Sequence, residues 1–137
     1  MRISIIVPTL NEAETIGVTL ESLAPVRARG HEVIVVDGGS DDGTPEHAAP
    51  LADRVLHAPR GRASQMNAGA AASGAEGLLF LHADTVLPPD GVDRVVRALA
   101  GHAWGRFDVR LCGRHPLLRV IERLMNLRSR LTGIATG

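Results

Sequence analysis

Residues 31–43 read HEVIVVDGGSDDG. Val33 to Val36 are four β-branched residues in a row, with no polar position to turn towards water. A strand of this kind is covered on both faces, which is how strands of a parallel sheet read. It ends in Asp37 and a glycine-rich turn. RISIIVP (2–8) repeats the pattern, a β-branched run closed by Pro8. DRVLHA (53–58) is a weaker third strand, GLLFLHAD (77–84) a fourth and WGRFDVRL (104–111) a candidate fifth.

Between these runs the apolar period changes to that of a helix. NEAETIGVTLESL (11–23) carries Ile16, Leu20 and Leu23 at helical spacing, with Asn11 placed to cap it and Glu14 three residues on. Thr44 is placed to cap a short helix with Pro45 at its first position. GRASQMNAGAAAS (61–73) is a small-residue helix able to approach a sheet closely, and DGVDRVVRALA (90–100) is another. PLLRVIERLMNLRSRL (116–131) is amphipathic, with Leu117, Ile121, Leu124 and Leu131 on one side. Strands alternating with helices predict a single α/β domain over residues 1–137, a largely parallel sheet flanked by helices and closed by this C-terminal helix.

Composition excludes several classes. At 45% hydrophobic the chain is neither disordered nor, with apolar runs this short, membrane-spanning. A single cysteine, Cys112, and the lack of a signal-peptide core lead to the expectation of a cytoplasmic protein. All 15 basic residues are arginine. Residues 1–103 hold 8 of them against 13 acids, and residues 104–137 hold 7 against 2. The terminal helix, flanked by Arg119, Arg123, Arg128 and Arg130, therefore has two readings. Its stripe packs on the sheet as core, or it meets a second copy or an anionic membrane, peripheral to the inner face. Nucleic acid is a poor partner, because Phe80, Trp104 and Phe107 are the whole aromatic inventory.

In open α/β sheets ligands bind beyond the carboxyl ends of the strands. Strand one ends in Pro8-Thr9-Leu10-Asn11-Glu12, strand two in Asp37-Gly38-Gly39-Ser40-Asp41-Asp42-Gly43, and strand four in His82-Ala83-Asp84. A period of two puts His82 and Asp84 on one side of their strand. Asp84 suits a hard cation such as Mg²⁺, while His82 suits a ligand hydroxyl or a place beside Mn²⁺. Equally, Asp84 caps the next turn and His82 merely ends a strand. A carboxylate at the end of an apolar strand, Asp37, needs donors, and a nucleobase imide or ribose hydroxyls are such donors. The glycines free backbone N–H groups for a ligand or simply form a turn, and Asp41 and Asp42 read as turn residues. Helix capping accounts for Asn11 and Glu12. Arg62 opens a helix whose positive end welcomes an anion, and Asn67 follows on the same helix. No Gly-x-Gly-x-x-Gly follows strand one, no lysine exists for a P-loop, and no Gly-x-Ser-x-Gly elbow occurs.

Taken together, SIIVPTLNEAETI (4–16), EVIVVDGGSDDGT (32–44), GRASQMNAG (61–69) and LLFLHADTVLPP (78–89) resemble family 2 glycosyltransferases of the GT-A fold. The His-Ala-Asp form and GRFDVRL look like the bacterial radical-SAM/selenodomain-associated group within it. The resemblance implies a nucleoside diphosphate sugar donor, UDP- or GDP-linked. Pro8, Thr9, Asn11, Glu12, Asp37, Gly39 and Ser40 would contact it, Arg62 would sit near its base or diphosphate, and Asn67 would support the pocket. His82-Ala83-Asp84 corresponds to the family's Asp-x-Asp metal motif, with Asp84 as the last carboxylate holding Mg²⁺ or Mn²⁺ and His82 replacing the usual first aspartate. Inverting transfer to an acceptor hydroxyl follows, with a carboxylate base that the family carries on a segment after Gly137. The chain is thus expected to hold the donor half, incomplete at its C-terminus, with Asp108 a poor substitute for the base. Two alternatives are a non-catalytic nucleotide-binding module and a metal-dependent nucleotidyltransferase. The latter class wants a glycine- and basic-rich loop where PTLNEAET is acidic.

Overall fold

The computed structural model describes residues 1–108 and 114–132, which fall into two compact units, Met1–Gly101 and His102–Gly137. In the first, β1 (Ile3–Thr9), β2 (Glu32–Asp37), β3 (Arg54–His57) and β4 (Gly77–Phe80) form one parallel sheet in the order β3-β2-β1-β4. The helices are α1 (Ala13–Ser22), α2 (Ala24–Ala28), α3 (Thr44–Ala48), α4 (Arg62–Ala72) and α5 (Gly91–Leu99). Thr9 pairs with Asp37, and Asp37 with His57, so the carboxyl ends of three strands lie side by side.

The β-branched runs behave as their composition dictates. Ile3, Ile5, Val7, Val33 and Val35 face one side, packing with Ile16, Leu20, Leu23, Val26, Ala48 and Val92 from the helices there. Ile6, Ile34 and Val36 face the other, under Ala68 and Ala70 of α4. Every one of those strand residues is fully buried, worth about 1.5–3 kcal/mol for each Val or Ile side chain. α4 approaches closely because Gly69 has no side chain: a Cβ there would meet Ile6 Cγ2 at 2.5 Å and Val36 Cγ2 at 3.1 Å.

Several local expectations give way. β4 stops at Phe80, so His82 and Asp84 lie in the loop beyond the strand rather than on it. It is a sheet edge, and Leu78 and Phe80 are half-exposed, because α4 covers the other three strands and not this one. Asn11 does not cap α1. It adopts a left-handed backbone (φ 53°), which its short polar side chain tolerates, and Glu12 takes the cap position. Gly43 (φ 85°), not Thr44, precedes α3, and Thr44 is the first helical residue.

In the second unit, α6 (Pro116–Thr132) forms as the period requires. Residues 104–108 are irregular rather than a fifth strand, and the rest of that segment, with Cys112, lies outside the described residues. Leu117, Ile121, Leu124 and Leu131 are exposed rather than core, while the covered side of the helix carries Glu122 and Ser129. Asp108 pairs with both Arg106 and Arg130, and Arg106 also donates to the Asn126 carbonyl at 3.2 Å. No helix among the described residues is long and apolar enough to cross a membrane.

Replacing Gly69 with alanine inserts a methyl group against the stiff Ile6 side chain. The expected cost is about 1–3 kcal/mol, the range for overpacking a core, read as a lower midpoint in thermal unfolding. An unchanged or raised midpoint would show that α4 can back away freely.

Candidate functional site

Asp37 is 1% exposed, and its carboxylate is the most heavily bonded group at the rim. Oδ2 accepts the backbone N–H groups of Gly39 (2.9 Å) and Ser40 (2.8 Å), and Oδ1 accepts the hydroxyls of Thr9 (3.1 Å) and Ser40 (2.5 Å). His57 Nδ1 lies 3.9 Å from Oδ2. The donors that a carboxylate at the end of an apolar strand requires thus come from the chain itself. Burial pushes this carboxyl up, but the bonds from Ser40, Gly39 and Thr9 together hold it below the ordinary aspartate range.

The turn so fixed also finishes α1. No side chain of its own caps that helix. Instead Ser40 Oγ accepts the Asn11 N–H (2.8 Å), Thr44 Oγ1 the Glu12 N–H (2.9 Å) and Asp42 Oδ2 the Ala13 N–H (3.0 Å). Asn11 Oδ1 accepts the Asp41 N–H in return. Asp42, which reads as a plain turn residue, is therefore the carboxylate at the positive end of a neighbouring helix, and the Thr44 hydroxyl holds its carboxyl below its usual range. Sequence spacing could not show this, because the capping groups lie about thirty residues from the helix they cap.

Next to this junction opens a cleft of about 340 Å³, lined by Pro8, Thr9, Leu10 and Glu12, by Arg60, Gly61, Arg62 and Gln65, and by His82, Ala83 and Asp84. Of the residues nominated from sequence, Pro8, Thr9, Glu12, Arg62, His82 and Asp84 meet here. Asp37 stands behind Thr9, and Asn11, Gly39 and Ser40 belong to the adjoining junction. Asn67 lies on the exposed side of α4 and does not line the cleft.

Leu10, Arg60, Gly61, Gln65 and Ala83 also line the cleft, and of these two polar residues escaped the sequence reading. Gln65 is 4% exposed, and its Nε2 donates to the carbonyls of Thr9 and Val36, both at 2.8 Å. It thereby ties α4 to the ends of β1 and β2. Gly38 accommodates it, since a Cβ there would lie 2.8 Å from Gln65 Oε1. Nothing in the sequence sets Gln65 apart from Arg62, Ser64 and Asn67 on the same helix. Arg60 is the other. Like Arg62 it is exposed, and neither guanidinium has a hydrogen bond or ion pair among the described residues.

The cleft is electrically divided. Two unengaged guanidiniums and the N-terminus of α4 form one wall, where an anion gains charge-assisted hydrogen bonds. Glu12, His82 and Asp84 form the other. His82 and Asp84 are exposed while Leu81 and Ala83 turn into the core, so the alternation inferred for a strand persists beyond its end. Glu12 accepts the Thr15 hydroxyl, and Asp84 has only a long contact from Thr85 (3.3 Å). Among the described residues no group of three or more His, Cys, Asp or Glu side chains could hold an ion alone. One carboxylate and one imidazole fit a divalent cation whose other positions are filled by water and ligand oxygens.

The family model for glycosyl transferase family 2 matches residues 4–132. The chain belongs to that family. It is 37% identical over 107 residues to a PGL/p-HBAD biosynthesis glycosyltransferase of Mycobacterium bovis, covering 72% of this chain and 42% of that protein. Its fold is GT-A, matching glucosyl-3-phosphoglycerate synthase from Mycobacterium tuberculosis, solved with Mn²⁺, UDP and glucosyl-3-phosphoglycerate. There the TM-score is 0.65 with 27% identity over 73% of this chain and 40% of that one. The mannosyltransferase PcManGT from Pyrobaculum calidifontis, in complex with GDP-Man and Mn²⁺, gives a TM-score of 0.65 with 28% identity over 88% of this family member and 38% of that chain. The matched stretch spans less than half the length of each of these relatives.

Because the Asp37 carboxyl titrates lower when folded than when unfolded, its stabilisation is complete above about pH 4 and is lost as pH falls through the folded value. Thermal unfolding midpoints should drop between about pH 7 and pH 3, and drop less in Asp37→Asn, which lacks this titration. Parallel curves for the two proteins would remove Asp37 from that role.

Proposed function

We propose that this chain supplies the donor-binding part of a glycosyltransferase that takes a nucleoside diphosphate sugar, UDP- or GDP-linked, with Mg²⁺ or Mn²⁺. One observation carries the reading: a single cleft offers unengaged Arg60 and Arg62 on one wall and an exposed His82–Asp84 pair on the other. A diphosphate is the ligand chemistry that answers both. Related proteins solved with Mn²⁺ together with UDP or GDP-Man support the same choice.

In this reading Pro8 and Thr9 line the nucleotide's side of the cleft, and the junction of Asn11, Gly39 and Ser40 around Asp37 borders the space for base and ribose. Arg62 and Arg60 hold the diphosphate against the first turn of α4. Asp84, with His82 beside it, would hold the cation, which when bound neutralises charge developing on the departing diphosphate. An acceptor hydroxyl attacking the face of the anomeric carbon opposite the diphosphate would form the new C–O bond as the bond to the diphosphate oxygen breaks, with inversion, and would give its proton to a base. That attack needs a carboxylate base, and the described residues nominate none: Asp108 is engaged by Arg106 and Arg130. The His-Ala-Asp form supports placement in the radical-SAM/selenodomain-associated group, and a cytoplasmic site of action suits a sugar-nucleotide donor.

Calorimetry with UDP and GDP, with and without Mn²⁺, tests the proposal. Mn²⁺ should tighten binding of at least one nucleotide, and Asp84→Ala should remove that gain, about 10-fold or more, while leaving metal-free affinity in place. Equal affinity of wild type and Asp84→Ala in Mn²⁺ would overturn the assignment.

A further inference from the structure

The metal-facing loop is held from behind by one residue of α1. Thr19 is 2% exposed, and its Oγ1 donates to the Ala83 carbonyl at 2.6 Å across 64 positions of sequence. A threonine inside a helix ordinarily turns its hydroxyl to a carbonyl of the preceding turn. Here the hydroxyl is directed to another element. Ala83 is the residue between His82 and Asp84, and is itself 3% exposed. β4 has ended at Phe80, and the Leu81 N–H still donates to Ile6 at 3.0 Å. Beyond that the Thr85 N–H closes a turn on the His82 carbonyl at 3.1 Å. Among the described residues, the Thr19 bond is the one hydrogen bond tying residues 82–85 to another element.

We propose that Thr19 is a positioning residue for the cation: by fixing the Ala83 carbonyl in the core it turns His82 and Asp84 together into the cleft. The inference rests on the cation reading of those two side chains given above. The physical argument is geometric. Ala83 can point inward only if its buried carbonyl has a donor, because a buried carbonyl left alone is costly. With Ala83 turned in, the residues on either side of it, His82 and Asp84, are the ones left exposed at the cleft. A carboxylate and an imidazole on an exposed loop would otherwise sample many arrangements, few of which hold both within reach of one ion.

Thr19→Val keeps the β-branched shape and removes the donor, and Thr19→Ser keeps the donor. In calorimetric titration with UDP and GDP over a series of Mn²⁺ concentrations, Thr19→Val should raise the Mn²⁺ needed for half-maximal tightening by about 10- to 100-fold. Metal-free nucleotide affinity should stay within about twofold, a change of under half a kcal/mol at 1.4 kcal/mol per tenfold, and Thr19→Ser should restore the wild-type Mn²⁺ requirement. Hydrogen exchange without any ligand should show faster exchange at residues 82–85 in the valine variant and not in the serine one. A valine variant that only unfolds at lower temperature, with exchange at 82–85 and the Mn²⁺ requirement unchanged, overturns the proposal. If Mn²⁺ strengthens binding equally in wild type and Thr19→Val, the cation reading stands and this proposal alone falls. If Mn²⁺ affects neither protein, the cation reading falls and this inference with it.

Discussion

A carboxylate at the buried end of a central strand has to be satisfied, and the rim of this sheet is organised around how that is done. The four bonds to Asp37 draw Thr9 from β1 and the Gly39-Ser40 turn from β2 into one knot. The turn, once placed, caps α1 from outside. α1 then reaches the far side of the cleft through Thr19. One helix therefore connects the knot to the loop bearing His82 and Asp84, and Gln65 connects α4, which opens with Arg62, to the same two strand ends. The parallel register is what makes this economical in residues, since neighbouring strands finish side by side.

The core and the rim were legible in the sequence for a simple reason: uninterrupted β-branched runs such as Val33 to Val36 admit few environments, and each ended in a polar cluster. The cleft lining followed from the rule for strand ends at Pro8, Thr9, Glu12, His82 and Asp84. What the sequence did not yield depends on contacts across long separations. Asn11 reads as a cap by every local criterion, yet it is left-handed, and Ser40, Asp42 and Thr44 do the capping. Gln65 reads as one more polar residue on a helix until the carbonyls of Thr9 and Val36 are seen above it. Periodicity found the apolar stripe of α6 but could not say which side would be covered, and Leu117, Leu124 and Leu131 stand exposed.

The division between shared and individual features follows the same line. Membership of glycosyl transferase family 2 and the GT-A fold rest on the sheet and on motifs at the ends of its strands. Donor choice, acceptor and base are properties of side chains that protrude into or beyond the cleft. The stretch the matched relatives share with this chain is 42%, 40% and 38% of their own lengths, so more than half of each lies outside the match. The cleft gathers three loops from within the first unit, Met1–Gly101.

The borrowed cap of α1 bears on how this surface can drift through evolution. Ser40, Asp42 and Thr44 sit in a turn, where substitution is ordinarily tolerated, but each also terminates a helix belonging to another part of the chain. A replacement there is felt twice, in the turn and in the helix. Insertions, the commonest change in such turns, would detach all three groups at once. The turn should therefore keep its length in descendants even where the side chains exposed upon it diverge.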